Sequence, residues 1–183
     1  IVVAIAVPGT LFVYLTRDRS AASNPSCGAR PSTSVRALGP GRVMVGEPLP
    51  DVTLTGVDCH QYALAQFHGR PMIIAFFGSW CYDCREELPV LERLQRDEGN
   101  RIAVVGISFR DFPADTADFV RELKVTFPAL LEDSTVNPVA TRFHVRGIPD
   151  TLFVDAQGVL RDRAFGKTSR AELQPYISKL LGS

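Results

Sequence analysis

Two cysteines separated by two residues, in Trp80-Cys81-Tyr82-Asp83-Cys84, are the side chains of this 183-residue chain best placed to do chemistry. They follow a continuous apolar run, Met72 to Gly78 (MIIAFFG), and open a stretch in which Leu88, Leu91 and Leu94-Gln95 fall at helical spacing. Thiols three positions apart on a first helical turn reach each other and can close a small disulfide. The first of them lies where the helix dipole and the free N–H groups favour a thiolate, and the thiolate is the form that attacks a disulfide. The spacing therefore predicts thiol–disulfide exchange, with Cys81 as attacking nucleophile and Cys84 as resolving thiol. Two other readings of the pair stay open. A zinc site wants four ligands, but the remaining cysteines, Cys27 and Cys59, form no second pair of this kind, and Cys59-His60 is the nearest substitute. A purely structural disulfide around so short a loop gains little entropy.

A second segment with chemical content is Gly147-Ile148-Pro149-Asp150-Thr151, just ahead of a strand. A proline at a strand's first residue can be cis. A cis Pro149 would leave the backbone of Ile148 free to pair with an extended peptide, a small case of strand addition. An ordinary trans loop proline is the alternative.

The elements that position these residues alternate strand and helix. Val52 to Leu54 and Tyr62 to Leu64 suggest short strands around a turn at Gly56 to Cys59. Met72 to Gly78 and Ile102 to Phe109 (IAVVGISF) suit strands buried on both faces. A helix of about fifteen residues is expected from Cys81. Others are expected at Ala117 to Leu123, around Val136, Val139, Ala140 and Phe143, and over Leu173, Tyr176, Ile177, Leu180 and Leu181. Thr151 to Asp155 and Val159 to Phe165 predict a hairpin across Ala156-Gln157-Gly158. The pattern is that of an α/β sandwich.

Ahead of this domain, residues 1–15 are almost wholly apolar, shorter than the about 20 residues of a membrane span, and broken by Pro8-Gly9. The chain begins at Ile1 and not at Met, so the segment is expected to be the remnant of a signal anchor or signal peptide. Ser20, Ala21 and Ala22 offer a cleavage site that the nearby charges Arg17, Asp18 and Arg19 make less attractive. Either case exports the rest of the chain, to a compartment where disulfides persist. Residues 16–45, rich in Ser, Ala, Pro, Gly and Arg, are expected to be a flexible linker, and 46–183 the folded domain. Lys+Arg and Asp+Glu number 20 each, which argues against a nucleic-acid binder with a broadly basic surface, and 45% hydrophobic content excludes global disorder.

Taken together, these segments resemble the thioredoxin superfamily. More narrowly they resemble its exported, membrane-tethered TlpA/ResA/CcmG-like thiol-disulfide oxidoreductases, with an AhpC/TSA-redoxin type domain. The resemblance runs from about Gly46 to Leu181. It is carried by Gly46-Glu47-Pro48-Leu49-Pro50-Asp51, Phe67-His68-Gly69-Arg70-Pro71, Phe76-Phe77-Gly78-Ser79-Trp80, Cys84-Arg85-Glu86-Glu87-Leu88-Pro89, Val105-Gly106-Ile107-Ser108, Gly147 to Asp155, and Gly158. It implies a thioredoxin-like fold, a central mixed β-sheet flanked by helices with an N-terminal β-hairpin. It also implies a Cys81–Cys84 redox couple, a cis Pro149, and substrate contacts from Trp80, Tyr82, Asp83, Ile148 and Pro149. Where thioredoxins carry a buried acid, five residues before Trp80, this chain has Ala75, and its Tyr82-Asp83 departs from the proline many relatives place before the second cysteine. Glu87, three after Cys84, matches an acid of the tethered relatives and is the candidate proton acceptor for Cys84; a glutamate favoured by the helix dipole is the plainer account.

The function so implied is reduction of disulfides in exported proteins, such as apocytochrome c during cytochrome c maturation. The expected partners are a protein disulfide substrate and a membrane electron donor of thioredoxin-reducing type. A monomer is expected, without nucleic acid, cofactor or metal. The helix N-terminus, Arg85 and Arg146 favour the Cys81 thiolate, whereas Asp83, Glu86 and Glu87 oppose it, which leans toward a reducing couple, although exposed charges are screened within about 10 Å. Competing functions are a peroxiredoxin-like thiol peroxidase, which would not need Cys84, and a non-catalytic peptide-binding module. In an oxidising compartment Cys27 and Cys59 are expected to pair, with two free thiols as the alternative. His60, His68 and His144 look like surface or loop residues, and Trp80 like a partly core residue beside the nucleophile.

Overall fold

The computed structural model describes residues 3–7, 10–14, 34–35, 42–50, 52–132 and 138–182. Within the segment expected to be an anchor or signal remnant, β1 (Val3–Val7) pairs antiparallel with β2 (Thr10–Tyr14). No helix among the described residues is long and apolar enough to cross a membrane. The short β3 (Ser34–Val35) lies in the expected linker and pairs with β4 (Val52–Gly56). The rest of that linker up to Gly41 is outside the described residues, and so is Val136. Cys59 is disulfide-bonded; its expected pairing with Cys27 lies outside the described residues.

The chemistry-bearing segment grows from the centre of one mixed sheet. Its strand order is β10-β9-β6-β7-β8-β4-β3, with β5 (Gln61–Ala63) also on β4, closing the expected N-terminal hairpin. Here β6 is Met72–Phe77, β7 Ala103–Ser108, β8 Ala129–Leu131, β9 Asp150–Val154 and β10 Leu160–Phe165. The neighbours β6–β7 and β7–β8 are parallel, and the other pairs antiparallel. The continuous apolar run of β6 follows from burial on both faces. Successive side chains of a strand point to opposite sides. Accordingly Met72, Ile74 and Phe76 join one core with Leu54, Val105, Leu130, Phe143 and Leu152. Ile73, Ala75 and Phe77 join the other, under the helices.

That second core is covered by α1 (Tyr82–Glu98), α2 (Pro113–Glu122) and α4 (Arg170–Leu181), while α3 (Pro138–Arg142) contributes Val139 and Ala140 to the first. The stripe Leu88, Leu91 and Leu94 of α1 is fully buried, and burial of each such side chain contributes about 1.5–3 kcal/mol. Gln95, next on the stripe, accepts the Val104 N–H at 2.7 Å and so ties α1 to the start of β7. A Ser169–Glu172 capping box starts α4. The outer strand β10 shifts register between Leu160 and Asp162, and its Arg161, Asp162 and Arg163 all make ion pairs.

Candidate active site

Chain direction places the two cysteines. The last residues of β6 run into the turn Gly78-Ser79-Trp80, and Cys81 then caps α1 in an extended conformation (φ −91°, ψ 114°). Its Sγ accepts the Cys84 N–H at 3.1 Å. Cys81 and Cys84 are joined in a disulfide with Cα atoms 5.3 Å apart. The two sulfurs differ in access, since Cys81 keeps 6% of its surface exposed and Cys84 none. An Sγ that receives a helix N–H and faces the positive end of the dipole is favoured as thiolate once the bond is reduced.

Trp80 is 60% exposed, not partly core as expected, and Tyr82 is also exposed. The reason lies in a residue that sequence reasoning missed. Asp111, buried just beyond β7, accepts four hydrogen bonds: from the Ser79 N–H (2.7 Å), the Ser79 hydroxyl (2.8 Å), the Phe112 N–H (3.0 Å) and the Thr116 hydroxyl (3.1 Å). The Trp80 indole N–H donates to the neighbouring Arg110 carbonyl at 3.2 Å. The turn ahead of Cys81 is thus clamped to the β7–α2 connection, which holds the indole outward. The one available signal was a carboxylate at the end of a buried strand with a threonine five residues on. Replacing Asp111 by alanine orphans the Ser79 N–H, and the loss of a buried partner costs about 1–3 kcal/mol. We expect lower stability to denaturant together with greater acrylamide quenching of Trp80, the only tryptophan. Unchanged quenching would show that the clamp does not position the indole.

Glu87 is fully buried on the side of α1 that faces β9 and the β10–α4 connection. Its Oε1 accepts the Thr168 hydroxyl (2.5 Å), the Thr168 N–H (3.0 Å) and, at the limit of a hydrogen bond, the Thr151 hydroxyl (3.5 Å). Its Oε2 has no hydrogen-bond partner among the described residues. Thr151 is the cross-strand neighbour of Ala75, so α1 delivers an acid to the region where a buried one is missing from β6. Burial pushes the Glu87 carboxyl above the usual glutamate range, against the opposing pull of Thr168 and Thr151, and the Asp150 charge adds to the rise. Thr168 escaped the sequence analysis because it acts 81 residues away.

The segment Gly147-Ile148-Pro149 lies against this turn. The Ile148–Pro149 bond is cis. A side chain at Gly78 would come within 2.9 Å of the Trp80 ring, forcing it to shift, and within a tight 3.1 Å of the Ile148 Cδ1, which favours a glycine there. Pro149 is buried and Ile148 half-buried. Among the described residues, the Ile148 N–H and C=O have no hydrogen-bond partner. Asp83 and Glu86 are exposed. Lys167 pairs with Glu86 across the helix start and pulls its carboxyl down. Arg85 is drawn away to Glu122 at 2.5 Å and lies over the Phe119 ring. The structure therefore brings Trp80, Cys81, Tyr82, Asp83, Cys84, Ile148 and Pro149 to one end of the sheet, with Glu87 beneath.

The chain is similar to several known proteins. It is 31% identical over 124 residues to the thiol:disulfide interchange protein DsbE of Pseudomonas fluorescens, covering 67% of each chain. It is 23% identical over 141 residues to the thiol-disulfide oxidoreductase ResA of Geobacillus kaustophilus, covering 75% of this chain and 79% of that one. Its fold matches a crystal structure of a thiol:disulfide interchange protein of the thioredoxin family from Chlorobium tepidum, with TM-score 0.67, 22% identity, 76% of this chain and 99% of the other. Residues 45–163 match the AhpC/TSA family model. With that match laid over a thioredoxin-like sheet and a closed Cys81–Cys84 pair, the chain belongs to the AhpC/TSA family, as a thiol-disulfide oxidoreductase.

Proposed function

We propose that the chain reduces disulfides of exported polypeptides through the Cys81–Cys84 couple. The carrying observation is the linked pair at the head of α1, whose less buried sulfur already receives a helix N–H. In the reduced protein the Cys81 thiolate attacks a client disulfide, forming a Cys81–client bond and releasing one client thiolate. Cys84 then attacks the Cys81 Sγ, releases the second client thiolate and restores the Cys81–Cys84 disulfide. Two electrons pass from the dithiol to the client, and Glu87 takes the Cys84 proton. Trp80, Tyr82 and Asp83 contact the client on one side, and an extended client segment pairs with the free backbone groups of Ile148 beside Pro149.

Apocytochrome c is the client class implied by the ResA/CcmG-like resemblance, and a membrane electron donor re-reduces the pair. The N-terminal segment tethers a monomeric domain 46–183, through the linker 16–45, outside the cytoplasm. The direction of electron flow rests on that resemblance. Of the three carboxylates opposing the thiolate, Glu86 is paired with Lys167, and burial raises the Glu87 carboxyl above the usual glutamate range. Equilibration with glutathione is expected to place the couple near about −270 mV, as for a reductant. A value near about −120 mV would mark an oxidant and overturn the proposed direction.

A further inference from the structure

A second feature beside Gly147-Ile148-Pro149 has no part in sulfur chemistry. A cavity of about 360 Å³ opens there, lined by His144, Arg146, Asp150, Arg163 and Phe165. It is contiguous with the proposed client-pairing loop. Asp150 follows Pro149, the Gly166 N–H donates to the Pro149 carbonyl at 2.9 Å, and a side chain at Gly147 would lie 3.2 Å from the Phe165 ring. Phe165 is 71% exposed, an apolar surface with no covering partner among the described residues.

The charges of this cavity are unequal. Arg163 is committed to Asp150, through its Nε at 2.7 Å and an ion pair from Nη2, and to the carbonyls of Phe143 (2.9 Å) and His144 (3.2 Å). Arg146 has no carboxylate partner among the described residues; its Nε donates to the His144 Nε2 at 3.0 Å. His144 is therefore an acceptor, neutral in this arrangement. Loss of solvation and the surrounding Arg42, Arg146 and Arg163 all hold it below the usual histidine range. Two guanidiniums against one carboxylate leave the lining one positive charge in excess, carried by an exposed Arg146 that has no anion partner among the described residues. A guanidinium recognises a carboxylate with two parallel hydrogen bonds.

The geometry points to a specificity subsite: Arg146, flanked by His144 and Phe165, binds the carboxylate of an acidic side chain close to the reacting cysteine of a polypeptide client. This rests on the thiol–disulfide exchange proposed above and names its preferred client. An acidic residue near the cysteine anchors the client strand on the Ile148 side, while its aliphatic carbons cover the Phe165 ring.

The test uses the reduced full chain and short peptides whose single cysteine carries a chromophoric thiol in mixed disulfide. The peptides differ only in Glu, Gln or Lys at each of the three positions on either side of the cysteine. We expect one position at which Glu lowers KM about tenfold relative to Lys, with the preference shrinking at high salt as screening shortens. In Arg146→Gln that ratio falls to about one, whereas Arg146→Lys, which keeps the cation but not the fork, retains an intermediate ratio. Equal KM for Glu, Gln and Lys peptides in the unaltered protein, or a preference that survives Arg146→Gln, overturns the subsite. Failure of every peptide to react would instead overturn the exchange chemistry on which it rests.

Discussion

Replacing Cys81 by serine should lower dithiol-driven insulin reduction by at least about 10³-fold, because it removes the proposed nucleophile from the head of α1. Replacing Cys84 should produce a different result. Cys81 in that variant still attacks, but the mixed disulfide it forms has no resolving thiol 5.3 Å along the helix. Cys84→Ser is therefore expected to accumulate a covalent adduct with client protein, detected by mass analysis and released by dithiothreitol, while multiple turnover is lost. The asymmetry follows from exposure, since a client sulfur reaches Cys81, and Cys84 is fully buried. Trapping by Cys81→Ser and not by Cys84→Ser would reverse the assigned roles. Peroxide consumption by Cys84→Ser, with no adduct, would support a peroxidase instead.

Glu87→Gln is expected to have the next largest effect. A positioned proton acceptor contributes about 10²-fold or more, and glutamine keeps the Thr168 contacts while losing the titration. We expect turnover to fall about 10²-fold and the limb of the pH–rate profile assigned to this carboxyl to disappear. Stability supplies an independent readout. Because the folded Glu87 holds its proton more tightly than the unfolded chain does, its favourable contribution is complete below the ordinary glutamate range and is lost as pH rises through the raised folded value. Above that value the unpartnered Oε2 is a buried charge. The unfolding free energy of the unaltered protein should therefore fall relative to Glu87→Gln across that window. Urea melts at several pH values measure the difference. Parallel pH–stability curves, together with an unchanged pH–rate limb, would leave Glu87 as an ordinary helix residue.

The parts of this architecture that were legible in the sequence are those written in local pattern. The run MIIAFF has the composition of a strand buried on both faces, the leucine stripe of α1 repeats at helical spacing, and the cysteines sit at the junction between them. Strand β8 was not legible, because three residues, Ala129 to Leu131, carry neither period. The exposure of Trp80 was misjudged for a related reason. A large indole suggests burial, but the Asp111 clamp that turns it outward is made 32 residues away. His144 is the turn residue it was expected to be, but its neighbours, Arg146 beside it and Arg163 on β10, are brought together only by the fold. The environment of Glu87 is set by Thr168, contributed from beyond β10. In each case the missing information was a tertiary contact, invisible to spacing and composition.

Strand β10 forms one border of the sheet. A bare sheet border is a template on which an unfolded chain can nucleate an unwanted ribbon. Here the border bears Arg161, Asp162 and Arg163 in succession and is broken by a register shift, two devices that discourage strand docking. A polypeptide client of the proposed reaction would thus meet a poor template along the sheet's flank.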